Sequence, residues 1–252
     1  MSQGISRYHY LVFLLAISSF SLFIVAVIAL TPHIGQDPLW REQLMGSILC
    51  SLCLIGIIAV IFPGKCARAF RLLEGGSTAN GHNLPQGDES VKVDVRRSVR
   101  GHHPDCGNYS AHVLRLGGRR LCASCTGLLF GASVVIFATT PYAFGLWQME
   151  SGSVAVVFLG ILGVSLGLSQ FVLFRERGSV LRFLFGAFFV LGAFLILVEV
   201  DALVRSTTLD LFLTLSALVW ILTRMYLSEW DHSRICSTCG MMACELRQMW
   251  KR

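Results

Sequence analysis

Residues 11–30 read LVFLLAISSFSLFIVAVIAL, twenty positions without a charge. About 20 apolar residues form a helix long enough to cross the roughly 30 Å hydrocarbon layer of a bilayer. The run exceeds the 7–15-residue apolar core of a secretory signal, and no A-x-A-like site closes it, so a retained helix is expected. Five further apolar runs follow: Leu44–Phe62, Thr126–Trp147, Val154–Phe174, Val180–Val198 and Leu211–Leu227. Arg224 interrupts the last; its long stem is expected to snorkel to an interface. In the fourth run Gly160, Gly163 and Gly167 lie on nearby turns, and the Gly163-x-x-x-Gly167 spacing predicts a small-residue face for close helix packing. The expected fold class is an all-α integral membrane protein, a six-helix transmembrane bundle.

Composition points the same way. Of 252 residues 54% are hydrophobic and only 14% charged, with a mean hydropathy of +0.64. A soluble domain has about 25% charged residues. A water-soluble globule of this length cannot hide so much apolar surface, which excludes a soluble enzyme. The same hydrophobicity excludes a disordered chain.

The net charge is +6, from 21 Lys and Arg against 15 Asp and Glu. With six spans, the N-terminus, the loop 63–125, the loop 175–179 and the C-terminal tail share one side. All but two of the basic residues, Arg41 and Arg205, fall on that side. Cytoplasmic loops carry the excess of Lys and Arg, so both termini and the long loop are expected in the cytoplasm, at the cytoplasmic membrane of a prokaryote. Basic residues at 96, 97, 100, 115, 119 and 120 raise the question of RNA, but the positive-inside bias accounts for them, and nucleic acid is not the expected partner. The bilayer is, together with a cytoplasmic protein bound through the loop.

The chain accordingly divides into a transmembrane hairpin, residues 1–62; an amphipathic basic piece, Lys65–Leu73, and a polar linker within 63–100; a Cys/His loop, 101–125; four more transmembrane helices, 126–227; and a Cys-rich tail, 228–252.

The chemistry lies in two clusters. The first holds His102, His103, Asp105, Cys106, His112, Cys122 and Cys125; the second holds His232, Cys236, Cys239 and Cys244. In a reducing compartment paired cysteines bind metal more often than they form disulfides. A C-x-x-C spacing sets two sulfurs at two corners of a tetrahedron, and Zn²⁺ takes four thiolate or imidazole ligands. Cys106, Cys122 and Cys125 with His102, His103 or His112 complete a Cys₃His site within the loop. The tail either joins it or, through His232, Cys236, Cys239 and Cys244, binds its own ion; a shared Cys₄ site of Cys122, Cys125, Cys236 and Cys239 is the further arrangement. Asp105 is placed to orient a ligating imidazole. Gly127 and Gly240, just past the C-x-x-C pairs, suit a backbone folding under a metal. An iron–sulfur cluster ranks below zinc, because no four-cysteine ferredoxin run is present. Cys50 and Cys53 share the spacing but sit in an apolar run, where a thiol packs as a small hydrophobe.

The segment Gly117-Gly-Arg-Arg-Leu-Cys122-Ala-Ser-Cys125-Thr-Gly127-Leu-Leu resembles a family of bacterial and archaeal integral membrane proteins with no assigned activity. Its members carry a Cys-His element and then Leu-Cys-Ala-x-Cys-Thr-Gly running into a transmembrane helix. The resemblance covers residues 102–135, with Cys106 and its histidines standing for the first element. It implies a linked Cys/His site at a helix entrance. His-His-Pro-Asp-Cys stands here where the family has Cys followed directly by His.

Three function classes follow. Clustered ligands without H-E-x-x-H, P-loop or G-x-S-x-G patterns point to a zinc module with a structural, regulatory or interaction role and no catalytic residue. Cys122 and Cys125 beside a helix N-terminus and Arg119 and Arg120 suit a thiol–disulfide oxidoreductase, relayed through Cys50 and Cys53. Glu199, Asp201 and Asp210 near the ends of the fifth and sixth runs suggest a transporter or lipid-modifying enzyme, although solvated carboxylates at helix ends are the plainer expectation.

Overall fold

The computed structural model describes residues 2–31, 41–61, 107–116, 119–143, 152–173 and 178–238. Each of the six apolar runs forms a helix: α1 (Ser2–Leu30), α2 (Arg41–Ile61), α3 (Ala123–Ala143), α4 (Val154–Ser169), α5 (Ser179–Val204) and α6 (Thr207–Thr238). Four of them are long and apolar enough to cross a membrane: α1 over Tyr8–Leu30, α3 over Ala123–Pro141, and the whole of α5 and α6. The apolar stretches of α2 and α4, Gln43–Ile58 and Val154–Ser169, are shorter. The amphipathic piece, the linker and the stretch 101–106 of the Cys/His loop lie outside the described residues.

Helix α5 is the hub, packed against α3 and α4 most extensively and against α6 and α1 as well. Missing side chains allow that approach. A Cβ on Gly160 would stand 2.8 Å from the Gly192 carbonyl oxygen, and one on Gly192 would stand 2.6 Å from that of Gly160, so α4 and α5 meet backbone to backbone. The small face predicted from Gly160, Gly163 and Gly167 is this contact. Gly127 is used in the same way: the Phe183 carbonyl of α5 fills the space its Cβ would take. Its job is helix packing, in place of the metal-turn role its position suggested.

Polarity is inverted relative to a water-soluble fold. Phe137 is 80% exposed, and Phe13, Phe20, Phe23, Ile55, Leu159 and Leu215 also face outward. Ser18, Ser21, Thr139, Gln170, Ser216 and Thr223 are buried. An outer apolar wall with polar groups turned inward matches a lipid solvent, where interhelical hydrogen bonds hold the bundle. One strip of such bonds joins α1 to the antiparallel α6: Ser18 Oγ lies 2.7 Å from Thr223 Oγ1 and Trp220 Nε1 donates to Ser21 Oγ at 2.7 Å.

The charged residues depart from expectation. Arg224 is buried inside the bundle rather than snorkelling to a surface. The fifth helix runs on to Val204, carrying Glu199 and Asp201 with it. Glu199, Asp201 and Asp210 are no more than 3% exposed, not solvated at helix ends. Arg41, at the start of α2, reaches Asp201 Oδ1 at 3.3 Å and Asp210 Oδ2 at 3.7 Å, which draws the entrance of α2 to the α5–α6 turn. That turn is closed by Arg205 in the left-handed region (φ 52°), its N–H donating to the Asp201 carbonyl.

Candidate functional site

At the opposite end of α5 and α6 the described part of the loop folds onto the tail. A short 3-10 helix, Gly107–His112, leads into an antiparallel hairpin, β1 (Val113–Leu116) and β2 (Arg119–Cys122), with Val113 opposite Cys122 and Leu116 opposite Arg119. This hairpin is an addition to the expected all-α layout. Its signal in the sequence is Gly117-Gly118 between two four-residue stretches, a two-residue hairpin pattern. The register sets His112 one position away from the Val113–Cys122 pair.

Helix α6 does not stop at Leu227 but continues to Thr238, so the expected tail is helical over residues 228–238. The extension carries Asp231, His232 and Cys236. His232 and Cys236, one helical turn apart, share a face, and Tyr109 fills it. The Tyr109 hydroxyl, 3.2 Å from the His232 carbonyl oxygen, donates to it and lies 3.1 Å from Cys236 Sγ. The Tyr109 ring packs edge-on against His112 (5.5 Å between centroids) and His232 (5.9 Å), and the two imidazoles are themselves 5.9 Å apart. Beneath them the buried Asp231 accepts from Arg182 Nη1 at 3.3 Å and faces His112 Nε2 at 3.7 Å.

Cys122 closes β2 and Cys125 stands in the first turn of α3, so the C-x-x-C pair straddles a helix N-terminus. Arg224 reaches the residue between them: its Nη2 donates to Ser124 Oγ at 2.8 Å and its Nη1 to the Gly167 carbonyl at 2.9 Å. Its guanidinium also lies over the Phe189 ring at 4.8 Å and the Phe171 ring at 5.6 Å.

Of the ten residues singled out as metal ligands, five are described: His112, Cys122, Cys125, His232 and Cys236. All five sit at this end, where the loop and the tail, over a hundred residues apart in sequence, come together. His102, His103, Cys106, Cys239 and Cys244 lie outside the described residues. Among the described residues no group of three or more His, Cys, Asp or Glu is placed to hold a metal ion. The Cys122–Cys125 pair fits two corners of a tetrahedral site and needs further donors to close it. Cys53 is packed in the apolar core. It stands eight residues before the last residue of α2, about 12 Å along the axis at 1.5 Å per residue, so a direct relay from Cys125 has no support from this arrangement. Tyr109, Arg182 and Asp231 were not picked out in the sequence: an aromatic, an arginine and an aspartate near helix ends carry no pattern until the loop is docked on α6.

Comparison with protein-family models, with curated proteins and with solved structures finds no match to this chain.

Proposed function

We propose that the chain is a six-span membrane protein whose loop and tail form one zinc-binding module on the cytoplasmic face, with a structural or regulatory role towards a cytoplasmic protein partner. The supporting observation is the convergence of Cys122, Cys125, His112, His232 and Cys236 at one end of the bundle; Cys106, His102, His103, Cys239 and Cys244 are the further candidate ligands in the sequence. Cys122, at the end of β2, and Cys125, in the first turn of α3, supply two ligands, and the other cysteines and histidines of the loop and tail supply the rest. When bound, zinc would tie loop and tail to the bundle, since ligands brought together from distant segments convert binding free energy into folding free energy. Both termini and the long loop lie in the cytoplasm on this reading, given the skew of Lys and Arg.

Metal analysis of detergent-purified protein, prepared without chelators, tests the proposal. Near-stoichiometric zinc is expected, lost in the Cys122→Ser/Cys125→Ser variant; metal-free wild type refutes it. A second reading is favoured by one feature, the placement of Cys122 and Cys125 on either side of the N-terminus of α3, a setting that lowers a thiol's pKa: a dithiol that exchanges with a partner disulfide. Thiol trapping in cells separates the two. A disulfide fraction that grows with oxidant supports exchange, whereas metal-protected, uniformly reduced thiols support zinc.

A further inference from the structure

At the loop–tail end of the bundle the described arginines fall into two groups. Arg182 and Arg224 are buried and bonded inside the protein. Arg115, on β1, is exposed and Arg234, on α6, is partly exposed; among the described residues neither is paired with a carboxylate. Arg234 continues a stripe on one face of α6, in which Tyr226, Trp230 and Arg234 follow at intervals of four residues, just where the apolar run ends at Leu227. The Tyr226 ring meets Tyr10 of α1 edge-on at 5.2 Å between centroids, and the Arg234 guanidinium lies over the Trp230 ring at 5.1 Å. Tyr and Trp gather at the membrane–water interface, which puts the headgroup level at these three rings. Arg234 lies about 6 Å past Trp230 along the helix axis.

The hairpin rises from the same level. Strand β2 ends at Cys122, and the membrane-crossing stretch of α3 begins at Ala123. Arg120 is two residues back, about 7 Å at the rise of a strand, and Arg115 stands directly opposite it. A leaflet's headgroup layer is about 5–8 Å deep, so these positions lie within it or at its outer edge. Like charges directly opposite one another on a ladder are destabilising, and an anion lying across the pair reverses that. Among the described residues a single exposed carboxylate, Glu229, stands against these cations. We propose that this end of the bundle binds anionic phospholipid, with Arg115 and Arg234 holding headgroup phosphates. Stacking on Trp230 occupies the face of the Arg234 guanidinium and leaves the N–H groups of its edge to donate to a phosphate. Leu215, Leu218 and Leu222, exposed on α6 on the membrane side of the stripe, lie alongside the acyl chains. The inference rests on the membrane-spanning part of the reading above and not on zinc.

Phosphatidylglycerol and phosphatidylcholine, titrated into the purified full chain in mixed micelles and read by native mass spectrometry and by the thermal midpoint, test this. Phosphatidylglycerol should bind more tightly and raise the midpoint further, and its advantage should shrink as salt rises. Arg115→Gln/Arg234→Gln should lower the affinity for phosphatidylglycerol about 25-fold, at about five-fold per arginine, and leave phosphatidylcholine unchanged. Arg115→Lys/Arg234→Lys, which keeps the charge, should retain most of the affinity. Equal affinity for the two lipids, a preference indifferent to salt, or full phosphatidylglycerol binding by the Gln variant overturns the inference while the membrane reading stands. Inorganic phosphate or single-stranded RNA that binds the same arginines as tightly as phosphatidylglycerol overturns it too, because a lipid headgroup is then not what they select. Protein washed from membranes by alkaline carbonate overturns both readings. Should the Gln variant fail to fold, the wild-type lipid preference, its salt dependence and the Lys variant still decide.

Discussion

Tyr109 and Cys236 stand 127 positions apart and meet side chain to side chain, hydroxyl to sulfur at 3.1 Å, with the same hydroxyl bonded to the His232 carbonyl. This one phenol fastens the loop to the end of α6. Tyr109→Phe keeps the ring packing on both imidazoles and removes the hydroxyl. A neutral hydrogen bond contributes about 0.5–1.5 kcal/mol net, so the docked loop should loosen by roughly that amount. Alkylation of Cys236 in the purified protein should quicken several-fold. An unchanged rate would mean that the hydroxyl contributes nothing to docking.

Asp231 joins the same dock to α5. It accepts from Arg182 and faces His112, and all three are buried. Asp231→Asn takes the Asp231 carboxylate from the buried Arg182 cation, a change that costs up to about 3–5 kcal/mol when a buried pair is broken from one side. The thermal unfolding midpoint in detergent should fall sharply. Arg182→Met/Asp231→Leu removes both charges and should be the milder change. If the double variant is as unstable as the sum of its parts, the pair is not coupled.

The helices were legible because lipid imposes a coarse rule, about 20 apolar residues per span: all six runs are helical, and four of the helices are long and apolar enough to cross a membrane. Their ends were less legible. Helix α5 takes in Glu199 and Asp201, and α6 runs eleven residues past its apolar stretch, because a charged residue stays helical when a neighbouring helix supplies its partner. Arg41 is that partner for Asp201 and Asp210. Hydropathy registers the cost of burying a charge and not the counter-charge that offsets it, so Arg224 reads as a snorkelling residue when it is an internal one. The cysteine pairs mark the chemistry of the loop–tail end by spacing alone. Tyr109, Arg182 and Asp231 become visible only when the antiparallel order of α5 and α6 brings their ends to the loop.

Close helix packing makes a sharp contrast between two glycines. A Cβ on Gly160 would meet the Gly192 carbonyl and Ile196 Cγ1, each at 2.8 Å, while one on Gly56 would meet nothing within 4 Å. Gly160→Val should force α4 away from α5 and cost about 1–3 kcal/mol, as overpacking does, with loss of a monodisperse peak in detergent. Gly56→Ala should be neutral or slightly stabilising, since alanine favours a helix by about 1 kcal/mol over glycine. Equal behaviour of the two variants would remove the α4–α5 contact as the explanation for the glycine stripe.

Glu199 receives the Ser153 N–H on Oε2 at 2.6 Å, and Ser153, the N-cap of α4, makes no side-chain cap of its own. A carboxylate from α5 thus does for α4 what the third residue of a capping box does within one helix, and it places a negative charge where the helix dipole favours one. Glu199→Gln keeps an acceptor and loses the charge, at a cost of about 0.3–2 kcal/mol. Glu199→Ala removes the acceptor of the Ser153 N–H as well as the charge and should cost about 0.5–1.5 kcal/mol more, the net worth of a hydrogen bond. Thermal midpoints should therefore rank wild type above Glu199→Gln and Glu199→Ala lowest. Were the carboxylate instead a carrier of protons or cations, stability would be indifferent to the two changes, so equal midpoints for all three proteins would argue for transport over capping.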